Sequence, residues 1–216
     1  MKRLTFKDTG AITEIGDEFL AETNQLQEFE FSCWTSLTSI PNKFLFGSCV
    51  KRLTFTNQGC ITTIGSDFLV GTKQLDELDL SGWTSLSSLG TQFLKGSGVK
   101  RLTFKDNPAI AKIGEAFLSD TKQLEEFEFC GGSSLKELPQ NFMFGSGVKR
   151  LTFKNHGCIT TIGDYFLYRT QLQEFEFRGW TSLTPIEEWD FLYGGNIKTT
   201  IKHRDNNPVL DKYLAE

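Results

Sequence analysis

Reactive side chains are few in this chain and poorly spaced for catalysis. It has two histidines, His156 and His203, and five cysteines, Cys33, Cys49, Cys60, Cys130 and Cys158. A protein-built zinc site draws its ligands from close pairs of the C-x-x-C or H-x-x-x-H kind, and neither spacing occurs. A G-x-S-x-G elbow, a phosphate-cradling glycine loop and a dinucleotide fingerprint are likewise missing. The glycine–serine pairs Gly47-Ser48, Gly96-Ser97 and Gly145-Ser146 fall at one recurring position and read as turns. Carboxylate pairs recur in the same way. A catalytic dyad breaks a repeat, whereas these make one, so the chain is read as non-enzymatic, with no catalytic residue, metal or cofactor.

The cysteines do not form a disulfide framework. Cys60 and Cys158 occupy the position held elsewhere by Ala11 and Ala109. They are four repeat units apart, roughly 19 Å at ~4.8 Å per strand, too far to bond. Cys33 and Cys49 replace glycines of other copies, and Cys130 replaces Ser32 or Ser81. They read as small-residue substitutions in a reducing setting.

The elements behind these patterns come from internal repetition. Lys-Arg-Leu-Thr-Phe begins at Lys2, Lys51, Lys100 and Lys149, 49 residues apart each time. A second motif, Gln-Leu-x-Glu-Phe-Glu-Phe or close to it, falls midway at Gln25, Gln74, Gln123 and Gln171, so the unit is 24–25 residues. Units of this size cannot bury an apolar face alone and must stack into a solenoid. Within one unit, Leu53-Thr54-Phe55 alternates as a half-buried strand, Asn57-Gln58-Gly59 is turn chemistry, and Phe68-Leu69 is expected on a short helical or 3-10 turn. A column of phenylalanines (Phe19, Phe44, Phe68, Phe93, Phe117, Phe142, Phe166, Phe191) should form a stacked spine. Each such ring removes on the order of 150–200 Å² from water, worth about 3–5 kcal/mol before entropy.

The order L-x-x-L-x-F, then I-x-x-I-G-x-x-F-L, then L resembles the leucine-rich repeat superfamily, and within it the BspA-like class. Phe-Leu stands here where that class has Ala-Phe. The resemblance implies an α/β solenoid: a right-handed coil with a parallel β-sheet on the concave face and short helical or 3-10 turns on the convex face. It also implies binding of other proteins or host surfaces. Residues 1–197 read as about eight units of 24–25 residues, and 198–216 as a C-terminal cap. In the cap, Val209, Leu210, Tyr213 and Leu214 would line a short closing helix, and Thr200 and Lys202 would fall where Leu151 and Phe153 put apolar groups.

Residues alternating with the buried strand positions should face outward. One column reads Arg3, Glu28, Arg52, Glu77, Arg101, Glu126, Arg150, Glu174, with opposite charges alternating throughout. In-register parallel strands would set each internal Arg between two Glu, a ladder that can serve register, recognition or both. The adjacent column reads Thr5, Glu30, Thr54, Asp79, Thr103, Glu128, Thr152, Glu176. Its acids Glu30, Asp79, Glu128 and Glu176, with Arg52, Glu77, Arg101 and Glu126, are the candidate partner-binding residues. Trp34, Trp83 and Trp180 share a third position and either cover the solenoid edge or, if exposed, stack on sugars.

The net charge of −4 argues against a nucleic-acid partner, which calls for a basic face. No apolar run is long enough for membrane insertion, and no signal-peptide core follows Met1. This favours the cytoplasm, or the cell surface or secretion if the chain is a piece of a longer protein. The leading expectation is a protein–protein interaction module. The alternatives are a structural or self-associating scaffold, natural or engineered, joined through an uncapped first strand, and a carbohydrate binder using the tryptophans.

Overall fold

A computed structural model describes residues 2–7, 10–32, 35–56, 60–154, 158–178, 180–184, 200–204 and 208. The turn at 57–59, Trp34, His156, Phe191 and the closing helix expected near 209–214 lie outside these residues.

Fifteen strands appear in chain order: β1 (Arg3–Lys7), β2 (Glu28–Ser32), β3 (Ser39–Ile40), β4 (Arg52–Thr56), β5 (Thr63–Ile64), β6 (Glu77–Asp79), β7 (Ser88–Leu89) and β8 (Arg101–Asn107). There follow β9 (Lys112–Ile113), β10 (Glu126–Gly131), β11 (Glu137–Leu138), β12 (Arg150–Lys154), β13 (Thr161–Ile162), β14 (Glu174–Arg178) and β15 (Thr200–Arg204). The long strands pair in parallel, each with the strand one repeat unit away, as Arg3↔Glu28 and Glu28↔Arg52 show. Seven turns lie between β1 and β14. The two-residue strands form a second parallel strip, β3-β5-β7-β9 and β11-β13. The long-strand ladder falls into two sheets, β1-β2-β4 and β6-β8-β10-β12-β14-β15, parting between β4 and β6.

Alternation sets the core, because residues of period two face one side of a strand. Leu78, Leu102, Phe127, Leu151 and Phe175 are buried from the strands. The phenylalanine column stacks as a continuous spine: Phe44–Phe68, Phe68–Phe93, Phe93–Phe117 and Phe117–Phe142 have centroids 5.8, 5.2, 5.3 and 5.1 Å apart and planes within 20° of parallel.

The turns that carry the spine phenylalanines correct the expected architecture. Among the described residues of the solenoid none is helical; the chain is a β-solenoid. Among the described residues, those on either side of each spine phenylalanine have positive φ, as with Gln92 (57°) and Leu94 (58°) around Phe93. This conformation turns the N–H groups on either side of the phenylalanine toward opposite neighbours. Gln92 N donates to Glu115 O (2.7 Å) on the next rung and Leu94 N to Phe68 O (2.9 Å) on the previous one. A helix would bond within itself and leave adjacent rungs unjoined; here rung-to-rung bonding wins over helix propensity.

The last described strand also departs from expectation. The Cα register sets Ile201 opposite Phe175 and Lys202 opposite Glu176, with a shift before Arg204. Ile201, and not Thr200, therefore continues the column of Leu151 and Phe175.

Candidate functional site

The long-strand face is held by main-chain bonds that run from rung to rung. Lys51 N donates to Gln27 O (2.8 Å), Lys100 N to Asp76 O (2.9 Å) and Lys149 N to Glu125 O (2.8 Å). Because the register is unshifted at Arg/Glu positions, the column comes together in two runs, Arg3-Glu28-Arg52 and Glu77-Arg101-Glu126-Arg150-Glu174.

The ion pairs are less symmetric than the column. Arg52 pairs with Glu28, Arg101 with Glu77 and Arg150 with Glu126, so each of these arginines reaches back one strand. Arg3 pairs forward with Glu28 at 3.8 Å. Glu28 is thus shared by two guanidinium groups, and its hydrogen bond from Arg52 holds its carboxyl below the ordinary value, helped by the charges of Arg52 and Arg3. Among the described residues no ion pair joins Arg52 to Glu77, the step at which the sheet parts. The register sets Arg101 and Arg150 each between two glutamates, as expected, and each guanidinium ion-pairs with the glutamate of the strand before it.

The acid–threonine column lies beside this ladder. Glu30 accepts from Arg3 Nη2 (3.3 Å) and Thr5 Oγ1 (3.4 Å), and Asp79 accepts from the backbone N–H of Ser81 (2.8 Å). Asp79 is exposed, and Glu30, Glu128 and Glu176 are half-buried. Over β8 to β14 the face forms an open groove of about 280 Å³, lined by Arg101, Thr103, Glu126, Glu128, Arg150 and Glu176 among others. Main-chain register therefore brings six of the eight candidate residues, Glu77, Arg101, Glu126, Asp79, Glu128 and Glu176, onto the second sheet, and Glu30 and Arg52 onto the first.

Of the two readings of the tryptophan position, Trp83 and Trp180 take the packed one. Trp83 and Trp180 are each 1% exposed. Trp83 meets Phe55 edge-on at 5.1 Å and Trp180 meets Phe153 at 5.3 Å, so neither ring offers a face to a sugar. The apolar gain from burying an indole against the phenylalanines exceeds anything an edge position in water provides.

Three features escaped the sequence reading. A second charged column runs one residue before the first: Lys2, Gln27, Lys51, Asp76, Lys100, Glu125, Lys149, Gln173. Lys100 pairs with Asp76 (2.8 Å) and Lys149 with Glu125 (2.9 Å), and each lysine lowers the pKa of its acid. The same period reveals this column when read one position earlier. Asn107, fully buried, donates from Nδ2 to Leu80 O (2.9 Å) and Trp83 O (3.3 Å), tying β8 to the turn below. On the turns that carry the spine phenylalanines, Phe144, Tyr165 and Tyr168 cluster, with the Arg169 guanidinium 5.3 Å from the Tyr168 ring centre. Tyr165 breaks a column otherwise made of Glu18, Lys43, Asp67, Gln92, Ala116 and Asn141, and that break is its signal. Among the described residues no three metal-ligating side chains converge, and no helix is long and apolar enough to cross a membrane.

Residues 1–100 and 87–213 match the BspA type leucine rich repeat region, in six copies. The crystal structure of a leucine-rich repeat protein from Bacteroides ovatus is similar over 85% of this chain and 53% of that one, at 13% identity and a TM-score of 0.47. The chain thus spans about half the length of that structure. No curated protein matches.

Proposed function

The chain belongs to the BspA-type leucine-rich repeat family, and from that premise we propose that it is a non-enzymatic module binding a protein partner through its concave, long-strand face. The observation that carries this reading is the spacing of carboxylates along that face. The Arg/Glu column spends its charge on itself, through Arg52–Glu28, Arg101–Glu77 and Arg150–Glu126. The next column alternates Glu30, Asp79, Glu128 and Glu176 with Thr54, Thr103 and Thr152, and Glu30 also takes an ion pair from Arg3. A row of acids at alternate strands, about 10 Å apart, suits a partner surface with spaced basic side chains.

The test compares two charge-reversed proteins with the wild type as baits in extract of the source organism. One carries Glu30→Lys, Asp79→Lys and Glu128→Lys on the strand face; the other carries Glu18→Lys and Asp67→Lys on the convex side. A partner held by the wild type and the convex variant but lost by the strand-face variant is the expected result. A partner lost equally from both, or kept by both, overturns the assignment of the face.

A further inference from the structure

Two main-chain ladders join the rungs, the long strands and the strip of two-residue strands, and among the described residues each is interrupted at a different step. The long-strand sheet parts between β4 and β6, and the strip parts between β9 and β11.

A side chain accounts for the first interruption. The first residue of a long strand donates its N–H to the strand before it, as Glu28 N does to Lys2 O (3.0 Å) and Arg101 N to Asp76 O (3.2 Å). N–H groups alternate in direction along a strand, so those of Glu77, Asp79 and Ser81 share the side toward β4. Ser81 N is instead turned onto Asp79 Oδ1 at 2.8 Å, two residues back. Aspartate closes such a turn readily, whereas glutamate is one methylene too long. Asp79 is the single aspartate in a column that otherwise places Glu30, Glu128 and Glu176 at the equivalent strands. Strand β6 accordingly ends at Asp79, three residues long, where β2 and β14 have five.

A missing donor accounts for the second. Gly65 N donates to Ile40 O (2.9 Å), Gly90 N to Ile64 O (2.8 Å), Gly114 N to Leu89 O (2.9 Å) and Gly163 N to Leu138 O (2.8 Å). Between Gly114 and Gly163 this column holds Pro139, which has no N–H to offer Ile113. Pro41 holds the same position one rung before Gly65, and on that rung the strip begins, with β3.

Each interruption is spanned by the ladder that stays whole. Strands β5 and β7 pair across the first, Thr63↔Ser88 and Ile64↔Leu89, and β8 and β10 pair across the second, Glu126↔Arg101 and Phe127↔Leu102. The phenylalanine spine crosses both, with Phe68–Phe93 at 5.2 Å and Phe117–Phe142 at 5.1 Å. We propose that these two steps are flexure points built into the solenoid. It bends at β4/β6 about the intact strip and spine, opening and closing the long-strand face, and at β9/β11 about the intact long-strand sheet. A step held by one ladder in place of two opens locally at lower free energy. The first point lies within the proposed binding face, between Glu30 and Asp79. The inference rests on main-chain bonding, however, and holds whether or not that face takes a partner.

The test is relaxation dispersion of the backbone amides in the full chain, which reads the microsecond-to-millisecond motion of packed blocks, with thermal melts to establish that each variant is folded. In the wild type, exchange broadening is expected at Glu77, Asp79, Glu137 and Leu138 and not at Glu28 or Glu174. Asp79→Glu should reduce the broadening at β6 about threefold or more and leave β11 unchanged, and Pro139→Gly should do the converse. Asp79→Asn, which keeps the turn, should leave β6 as broad as in the wild type. Pro139→Ala returns the N–H while keeping the Cβ, and serves as the second variant at that step if glycine prevents folding. A wild type without broadening at either step, or broadening that neither Asp79→Glu nor the Pro139 variants move, overturns the proposal. So does fast hydrogen exchange at both steps without dispersion, which would mean fixed gaps in a rigid coil.

Discussion

Gly90 lies over Gly65 so closely that a Cβ on Gly90 would stand 2.4 Å from the Gly65 carbonyl carbon. The same contact repeats one rung on, where a Cβ on Gly114 would stand 2.5 Å from the carbonyl carbon of Gly90. The obstructing atoms are main chain and cannot swing aside. These glycines directly follow the short strands and keep the rungs in hydrogen-bonding range, as with Gly90 N to Ile64 O (2.8 Å). Gly90→Ala should therefore destabilise the solenoid by about 1–3 kcal/mol or more, since the rung must shift to admit the methyl group. Gly16, with nothing within 4 Å of its would-be Cβ, is the matched control. Urea denaturation of Gly90→Ala and Gly16→Ala at unchanged m should separate them; equal midpoints would refute the close-packing account.

How much of this was legible beforehand differs by face. Leu53-Thr54-Phe55 and Glu126-Phe127-Glu128 declare their strands, because an alternating pattern repeated at a fixed period leaves one consistent register. The charged column followed directly, and it is the column the structure assembles. The turns around the spine phenylalanines were not legible. Asp-Phe-Leu at 67–69 is compatible with a helical turn, and nothing in those residue types announces the positive φ of Asp67 (60°) and Leu69 (56°). That conformation is imposed by neighbouring rungs, which no single unit encodes. Trp83 shows a second limit. A repeat position locates a side chain along the coil without saying whether it turns in or out, and that is decided by the apolar room beside Phe55.

One column of the turns supplies its own comparison. Gly47, Gly71, Gly96 and Gly145 have φ of 61–70°, and the equivalent Glu22, Asp120 and Arg169 adopt 55–58° with a side chain present. The left-handed conformation costs a residue with a Cβ about 1–2 kcal/mol. Part of the gain from glycine returns as unfolded-chain entropy. Glu22→Gly is thus expected to raise stability by about 0.5–1 kcal/mol, and Gly71→Ala to lower it by about 1 kcal/mol or more. Chemical denaturation of the two variants checks this, and opposite signs from those stated would show that the column carries no strain.

The ladders make a prediction about acid. Glu28, Asp76 and Glu125 are held below their ordinary values by hydrogen bonds from Arg52, Lys100 and Lys149, with the charges of those partners adding to the effect. A carboxyl whose folded-state pKa is depressed stabilises the fold fully above its unfolded value, 4.5 for Glu and 3.8 for Asp, and loses that contribution as pH falls through the folded-state value. The melting temperature should therefore hold across the neutral range and decline on the acid side, beginning below about pH 4.5. Lys43, raised by its hydrogen bond and charge contact with Glu18, titrates above the lysine value of 10.5 and leaves this window untouched. In a Glu28→Gln/Asp76→Asn/Glu125→Gln variant the acid-side decline should be shallower and the neutral melting temperature slightly lower. Salt should narrow the difference, because these pairs are solvent-exposed and screened. Parallel pH profiles for variant and wild type would mean that the ladders fix register without contributing to stability.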